Sequence, residues 1–298
     1  MTCQLVFIHG RSQQMKDADA LKREWIASLE RGLAKSGLHL PVAPSDIRFP
    51  YYGQTLFDIA GGASEEAAAR VAIRGSNDGE QESDRREFIA AVLTEVARER
   101  GIGAADIDSA SRVRGRGPLQ WEWVQKLLEG IDRHLPGASG ASIALATNDV
   151  YQYLRNPGIA GLVDAGVRQA FQRGVPTVVV SHSLGTVVAY NLLRRDGVDF
   201  GWNIPLFVTL GSPLAVKAIH DALVPIRFPA CAAGWLNASD PRDVVALRPL
   251  DEHNFDVDPA IDNKNDVANH TENRHGIVGY LDDREVARRI HDALLGSA

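Results

Sequence analysis

The stretch that most constrains the fold is "PTVVVSHSLGTVVAYNLLRR", residues 176–195. Its "TVVV" run is β-branched throughout and carries no polar alternation, the pattern of a strand buried on both faces of a parallel sheet. Small residues follow at Ser181, Ser183 and Gly185, and "LGTVVAYNLLRR" then reads as a helix. A strand passing into a helix over so few residues requires a sharp turn, with Ser183 at its apex.

Similar units recur along the chain. "QLVFIHG" (Gln4 to Gly10) is a short apolar run ended by glycine, again a strand. A helix is predicted from Ala18 to Ser36, with Leu21, Trp25, Ile26, Leu29 and Leu33 on one face and Gly37 at its stop. "DIRFPYYG" reads as a second strand running into a loop. Residues 54–117 change texture: they are small, polar and charged, and contain a helical pattern at Phe88, Ile89, Val92, Leu93 and Val96. This section reads as a helical insertion or lid, with a loop at Gly75 to Ser83. "PLQWEWVQKLLEGIDRHL" continues as an amphipathic helix. After a polar link, "DVYQYLRNPGIAGLVDAGVRQAFQRG" reads as two helices broken at Pro157. "PLFVTLGSP" and "AGWLNASD" are strands, while "PLAVKAIHDAL" and the closing "DREVARRIHDALLG" are helices. Alternating strands and helices predict one α/β domain over residues 1–298, its parallel sheet covered on both sides.

Composition narrows the partners. The 298 residues are 45% hydrophobic, enough for a sizeable core, and carry 32 basic against 38 acidic side chains. A net charge of -6 without a basic stripe argues against nucleic-acid binding. Cys3 and Cys231 lack ligand-like spacing, so no disulfide framework is expected and a cytoplasmic location fits. "MTCQLVFIHG" shows no secretory leader, and no apolar run approaches the ~18 residues of a membrane span. "DVDPAIDNKND" is acidic but lacks the glycine and terminal glutamate of an EF-hand, so it reads as a solvated loop. No nucleotide fingerprint occurs. Neither metal nor cofactor is expected, and oligomeric state is not encoded in any visible pattern.

The chemistry-bearing residues cluster at strand ends. A serine hydroxyl is a weak nucleophile until a base takes its proton, so Ser183 matters through its position. The helix starting near Leu184 aims unpaired N–H groups and a partial positive charge at it. A serine here is also a good helix N-cap, the plainer role. The usual G-x-S-x-G elbow reads Ser181-His182-Ser183-Leu184-Gly185, with one small hydroxymethyl group added at its first position. Upstream lies "FIHGRS"; downstream lie "WLNASDPRDVVAL" with Asp240 and Asp243, and "NHTENRHGIVGYLDDREV" with His270 and His275.

Together, "FIHGR", "VVVSHSLGTVVAYNLL", "LFVTLGSPL", "WLNASDPRDVVA" and "HGIVGYLDDREV" make the chain resemble α/β-hydrolases of the bacterial serine esterase and lipase kind. The resemblance spans residue 5 to about 288 but leaves 54–117 unmatched. The chain starts at the His-Gly strand, without the two antiparallel strands that open larger members. It therefore implies a reduced, mostly parallel sheet of about six strands with helices on both faces. It further implies Ser183 as nucleophile, His275 as base and Asp243 as acid, with Asp240 as the alternative acid. The backbone N–H groups of Arg11 and Leu184 would form the oxyanion hole, and His9 would be structural. Tyr51 and Tyr52 are candidates for a substrate pocket, or else packing residues; Trp121, Trp123, Tyr151 and Tyr153 read as core packing. The implied substrate is a small-molecule or lipid ester. Thioesterase, amidase or acyltransferase chemistry, or a non-catalytic binding role, would fit the same scaffold.

Overall fold

The computed structural model of the protein describes residues 3–10, 17–52, 80–102, 120–134 and 139–296. The strands are β1 (Gln4–Ile8), β2 (Ile47–Arg48), β3 (Thr177–His182), β4 (Phe207–Leu210), β5 (Trp235–Ala238) and β6 (Asp262–Lys264). They form one sheet in the order β2-β1-β3-β4-β5-β6, and every neighbouring pair is parallel. The chain steps outward from β1 to β2 and then returns to β3 on the other side of β1. Strand order thus reverses between β1 and β3, and the carboxyl ends at such a reversal open a crevice suited to ligands.

Side chains alternate between two cores, as the pleat requires. Leu5, Phe7, Val178 and Val180 point to one face, where Trp25, Leu29 and Leu33 of α1 (Ala18–Ala34) cover them. The short α8 (Ile277–Leu281) and α9 (Arg284–Leu294) share this layer through Tyr280, Val286 and Ile290. Val6, Ile8 and Val179 point to the opposite face. There they meet α2 (Glu80–Glu99), α3 (Gln120–His134), α4 (Gly140–Arg155), α5 (Pro157–Arg168), α6 (Leu184–Asp196) and α7 (Lys217–Ala222). Local chemistry fixes the helix ends. Asp17 caps α1, Asn156 caps α5 and Asp283 caps α9, each accepting first-turn amides.

The periodic segments fold as predicted, with shifted boundaries. The first helix ends at Ala34, and Ile26 on its expected apolar face is only half-buried. Within the expected insertion, α2 begins at Glu80, inside the segment read as a loop, and buries Phe88, Ile89, Val92, Leu93 and Val96. Residues 54–79 and 103–117 of that insertion lie outside the described residues. The polar link before Asp149 is in fact the first half of α4: Ser139 accepts from the Ser142 amide, and Gly140 lets the helix start lie against Leu128. Tyr151 and Tyr153 are buried on this helix. The expected second strand shortens to Ile47–Arg48. The sixth strand, β6, forms inside the acidic segment read as a loop. It is three residues long and partly exposed, and polar edge strands of that length carry no hydrophobic signature. No helix among the described residues is long and apolar enough to cross a membrane.

Candidate active site

β3 runs directly into α6, and Ser183 occupies the junction with φ 55° and ψ -127°. A non-glycine residue there is strained by about 1–3 kcal/mol, which the surrounding structure must offset. Two features hold it. The Ser183 amide donates to the Leu210 carbonyl across the sheet at 3.1 Å. Thr186 donates its hydroxyl to the Ser183 carbonyl at 2.7 Å and contacts the Ser212 hydroxyl at 2.8 Å. Gly185 is demanded by proximity, since a Cβ there would fall on the carbonyl oxygens of Ile8 and His9. Ser181 meets no such limit. Its hydroxyl is buried and donates to the Val208 carbonyl at 2.8 Å, so the hydroxymethyl group is absorbed by β4.

The hydroxyl of Ser183 lies 2.9 Å from His275 Nε2, and His275 Nδ1 lies 2.7 Å from Asp243 Oδ2. Three side chains separated by up to 92 residues in sequence thus form one continuous chain of hydrogen bonds. A carboxylate at Nδ1 holds that nitrogen protonated and leaves Nε2 free to accept the serine proton. Asp243 is fully buried. Burial pushes its carboxyl pKa up, but the neighbouring His275 charge, the His275 and Tyr280 hydrogen bonds and the Val245 amide outweigh this, and the net shift is downward. Val245 N–H donates to Oδ1 at 2.8 Å, and the Tyr280 hydroxyl donates to Oδ2 at 2.6 Å.

Asp240, the alternative acid, has a different task. It accepts from the Arg242 guanidinium at 2.9 Å and from the Asn269 amide at 2.8 Å, and it does not reach His275. It anchors the loop that delivers His275. Asn269 continues the anchorage by donating to the Gly276 carbonyl at 2.8 Å. His270 pairs with Asp282 at the surface, 2.7 Å away, and His253 is exposed.

Leu184, the first residue of α6, contributes one of the first-turn amides that no preceding helical carbonyl can pair. Arg11, the other expected oxyanion donor, lies outside the described residues. His9 is locked in place: Nδ1 donates to the Gly10 carbonyl at 2.7 Å, and Nε2 accepts the Tyr52 amide at 3.1 Å. Tyr52 is buried with its ring 4.0 Å from His9, and its hydroxyl donates to the His9 carbonyl. The Tyr51 ring lies 5.3 Å from His9. Neither tyrosine lines the apolar cleft that opens at Ser183. That cleft is narrow and is walled by α2, α4, the segment 213–219 and the residues just after Asp243.

Four residues gained no role from the sequence. Tyr280 was noticeable only through its spacing after His275, and its hydroxyl both holds Asp243 and accepts the Asp240 amide at 3.2 Å. Gly211 of "TLGSP" has φ 56°, and a Cβ there would stand 3.1 Å from both the Asp243 carboxylate and the His275 ring. The His182 Nε2 donates to the His275 carbonyl at 2.7 Å. Arg100, at the end of α2, donates to the Pro241 carbonyl at 2.6 Å and also to the Asp243 carbonyl. Only long-range folding joins Arg100 to the acid loop, so no local pattern announces it.

Compared with protein-family models, with curated proteins and with solved structures, the chain matches none of them.

Proposed function

We propose that the protein is a serine hydrolase of the α/β-hydrolase fold, cleaving a carboxylic ester through an acyl-enzyme intermediate. The observation that carries this reading is the unbroken relay from Ser183 Oγ through His275 to the buried Asp243 carboxylate. The parallel six-stranded sheet, the strained serine at a strand-to-helix junction and the chain order Ser, Asp, His support the same reading.

In the first half-reaction the Ser183 proton passes to His275 Nε2 as Oγ bonds to the acyl carbon. The resulting oxyanion faces the amide of Leu184, and Asp243 stabilises the imidazolium. Collapse breaks the bond to the leaving oxygen, which takes the proton from His275 and departs as alcohol. Water then gives a proton to His275 and its oxygen to the acyl carbon. The Ser183–acyl bond breaks, and the proton returns to Oγ, releasing the carboxylic acid.

A fluorophosphonate probe tests the reading directly. Stoichiometric labelling of the wild-type protein is expected, with none in Ser183→Ala. Ester turnover in Ser183→Ala should fall by about 10³-fold or more. A wild-type protein that neither reacts with the probe nor hydrolyses any ester would leave a non-catalytic, binding role.

A further inference from the structure

The walls of the cleft beside Ser183 are aliphatic. Val92 and Val96 of α2 oppose Ile143 and Val150 of α4, while Val216 and Val244 close the third side. None of its described lining residues is charged or aromatic. Besides Ser183, the one hydroxyl among the described lining residues belongs to Thr147, which donates to the Ile143 carbonyl of its own helix at 2.8 Å. A polar or ionic group placed here would lose water and find little in return. Hydrocarbon would gain with each methylene buried.

The position of His275 decides which end of an ester enters. His275 must protonate the departing oxygen, so the leaving group has to sit beside Nε2. The cleft is lined by Ser183 and Leu184 but not by His275, and it therefore extends from the acyl side of the reacting carbon.

The walls are also tied to one another. Glu95 of α2 accepts the Lys217 amide at 3.0 Å and pairs with Arg248 at 2.6 Å; Arg248 pairs with Glu99 at 2.7 Å as well. Arg100 holds the acid loop by two carbonyls. These contacts fix α2 against both α7 and the loop bearing Val244, so the width between the walls is set by the fold.

From these observations we infer that the cleft is an acyl slit, selecting slender, uncharged aliphatic acyl chains over acetyl, aromatic or charged acyl groups. The inference rests on Ser183 being the acyl acceptor.

The test is a p-nitrophenyl ester series of acetate, butyrate, octanoate, palmitate and benzoate, with fluorophosphonate labelling run on every variant. Octanoate should exceed acetate in kcat/KM by at least about tenfold, given roughly fourfold per well-buried methylene. Ala146→Phe, which fills the slit, should lower the octanoate-to-acetate ratio by about tenfold. Val96→Ala, which widens it, should raise benzoate relative to octanoate. A second variant guards against misfolding of the first, and retained labelling certifies each. Acetate as the best substrate, or variants that slow every ester in equal proportion while labelling persists, would overturn the slit and leave the hydrolase reading standing. Selectivity that follows the alkyl chain of the alcohol in a series of acetates would place the leaving group there and overturn the assignment. Absence of labelling in the wild type would overturn both.

Discussion

The end of β3, the residue after β1 and the loop before α8 each bring a histidine to the carboxyl end of the sheet, and they use the ring differently. His9 spends both nitrogens on backbone groups, donating to Gly10 and accepting from Tyr52. His182 donates to the backbone of His275 and packs its ring 4.7 Å from that ring. Burial pushes both pKa values down, to about 4 for His9 and about 3 for His182. His275 alone has a carboxylate at one nitrogen and a hydroxyl at the other. The first two rings are neutral framework. The third is held between a carboxylate and the Ser183 hydroxyl, the arrangement that the proposed proton relay needs. Burial at this edge does not distinguish a working histidine from a structural one; the partners do.

The two aspartates offer the sharpest way to break this comparison. Asp243→Asn removes the acceptor that keeps His275 Nδ1 protonated, and the wrong tautomer should lower kcat by about 10³- to 10⁴-fold. Asp240→Asn should leave kcat within about tenfold and instead lower stability by about 1–3 kcal/mol, since it weakens the anchors to Arg242 and Asn269. Steady-state ester hydrolysis alongside urea denaturation separates the two effects. Loss of turnover in Asp240→Asn alone would reverse the assignment.

A smaller effect is expected at Tyr280. Burial, followed by the Asp243 charge, holds its phenol well above the ordinary range, so it remains a donor to Asp243 at neutral pH. Tyr280→Phe removes one hydrogen bond to the carboxylate, worth about 1.5–3 kcal/mol for a charged partner. kcat should fall by roughly tenfold across its pH profile, with KM little changed. An unchanged profile would reduce Tyr280 to a packing residue.

These partners also show how far the sequence reaches. β1, β3, β4 and β5 announce themselves because both faces are buried and the runs are apolar; β6 is polar and lies at an edge, so it does not. That Ser183, Asp243 and His275 meet at one end of the sheet was expected from strand ends, chain order and the family resemblance together. The choice of Asp243 over Asp240 needed the hydrogen bonds. Tyr280, Gly211 and Arg100 act through contacts made across long sequence separations. The slit is likewise invisible in sequence, because valines on α2 carry the same helical pattern whether they face a core or a cleft.

The last and mildest effect concerns pH and stability. An unfolded chain protonates its histidines near ~6.5, whereas folded His9 and His182 resist until about 4 and about 3. Between these limits the unfolded state binds more protons. Stability contributed by the neutral rings is therefore complete above ~6.5 and drains away as pH falls, by up to about 1.4 kcal/mol per pH unit for each ring. Asp243 acts in the same direction but in a lower window, below ~4, because its folded pKa is depressed. His182→Gln keeps a donor for the His275 carbonyl and removes the titration. Its urea midpoint should be lower than wild type at pH 7.5, yet should decline less steeply from pH 6.5 to 5, where His9 still contributes. Equal slopes would mean that His182 is charged in the folded protein, and the contrast between framework and relay histidines would then rest on His9 alone.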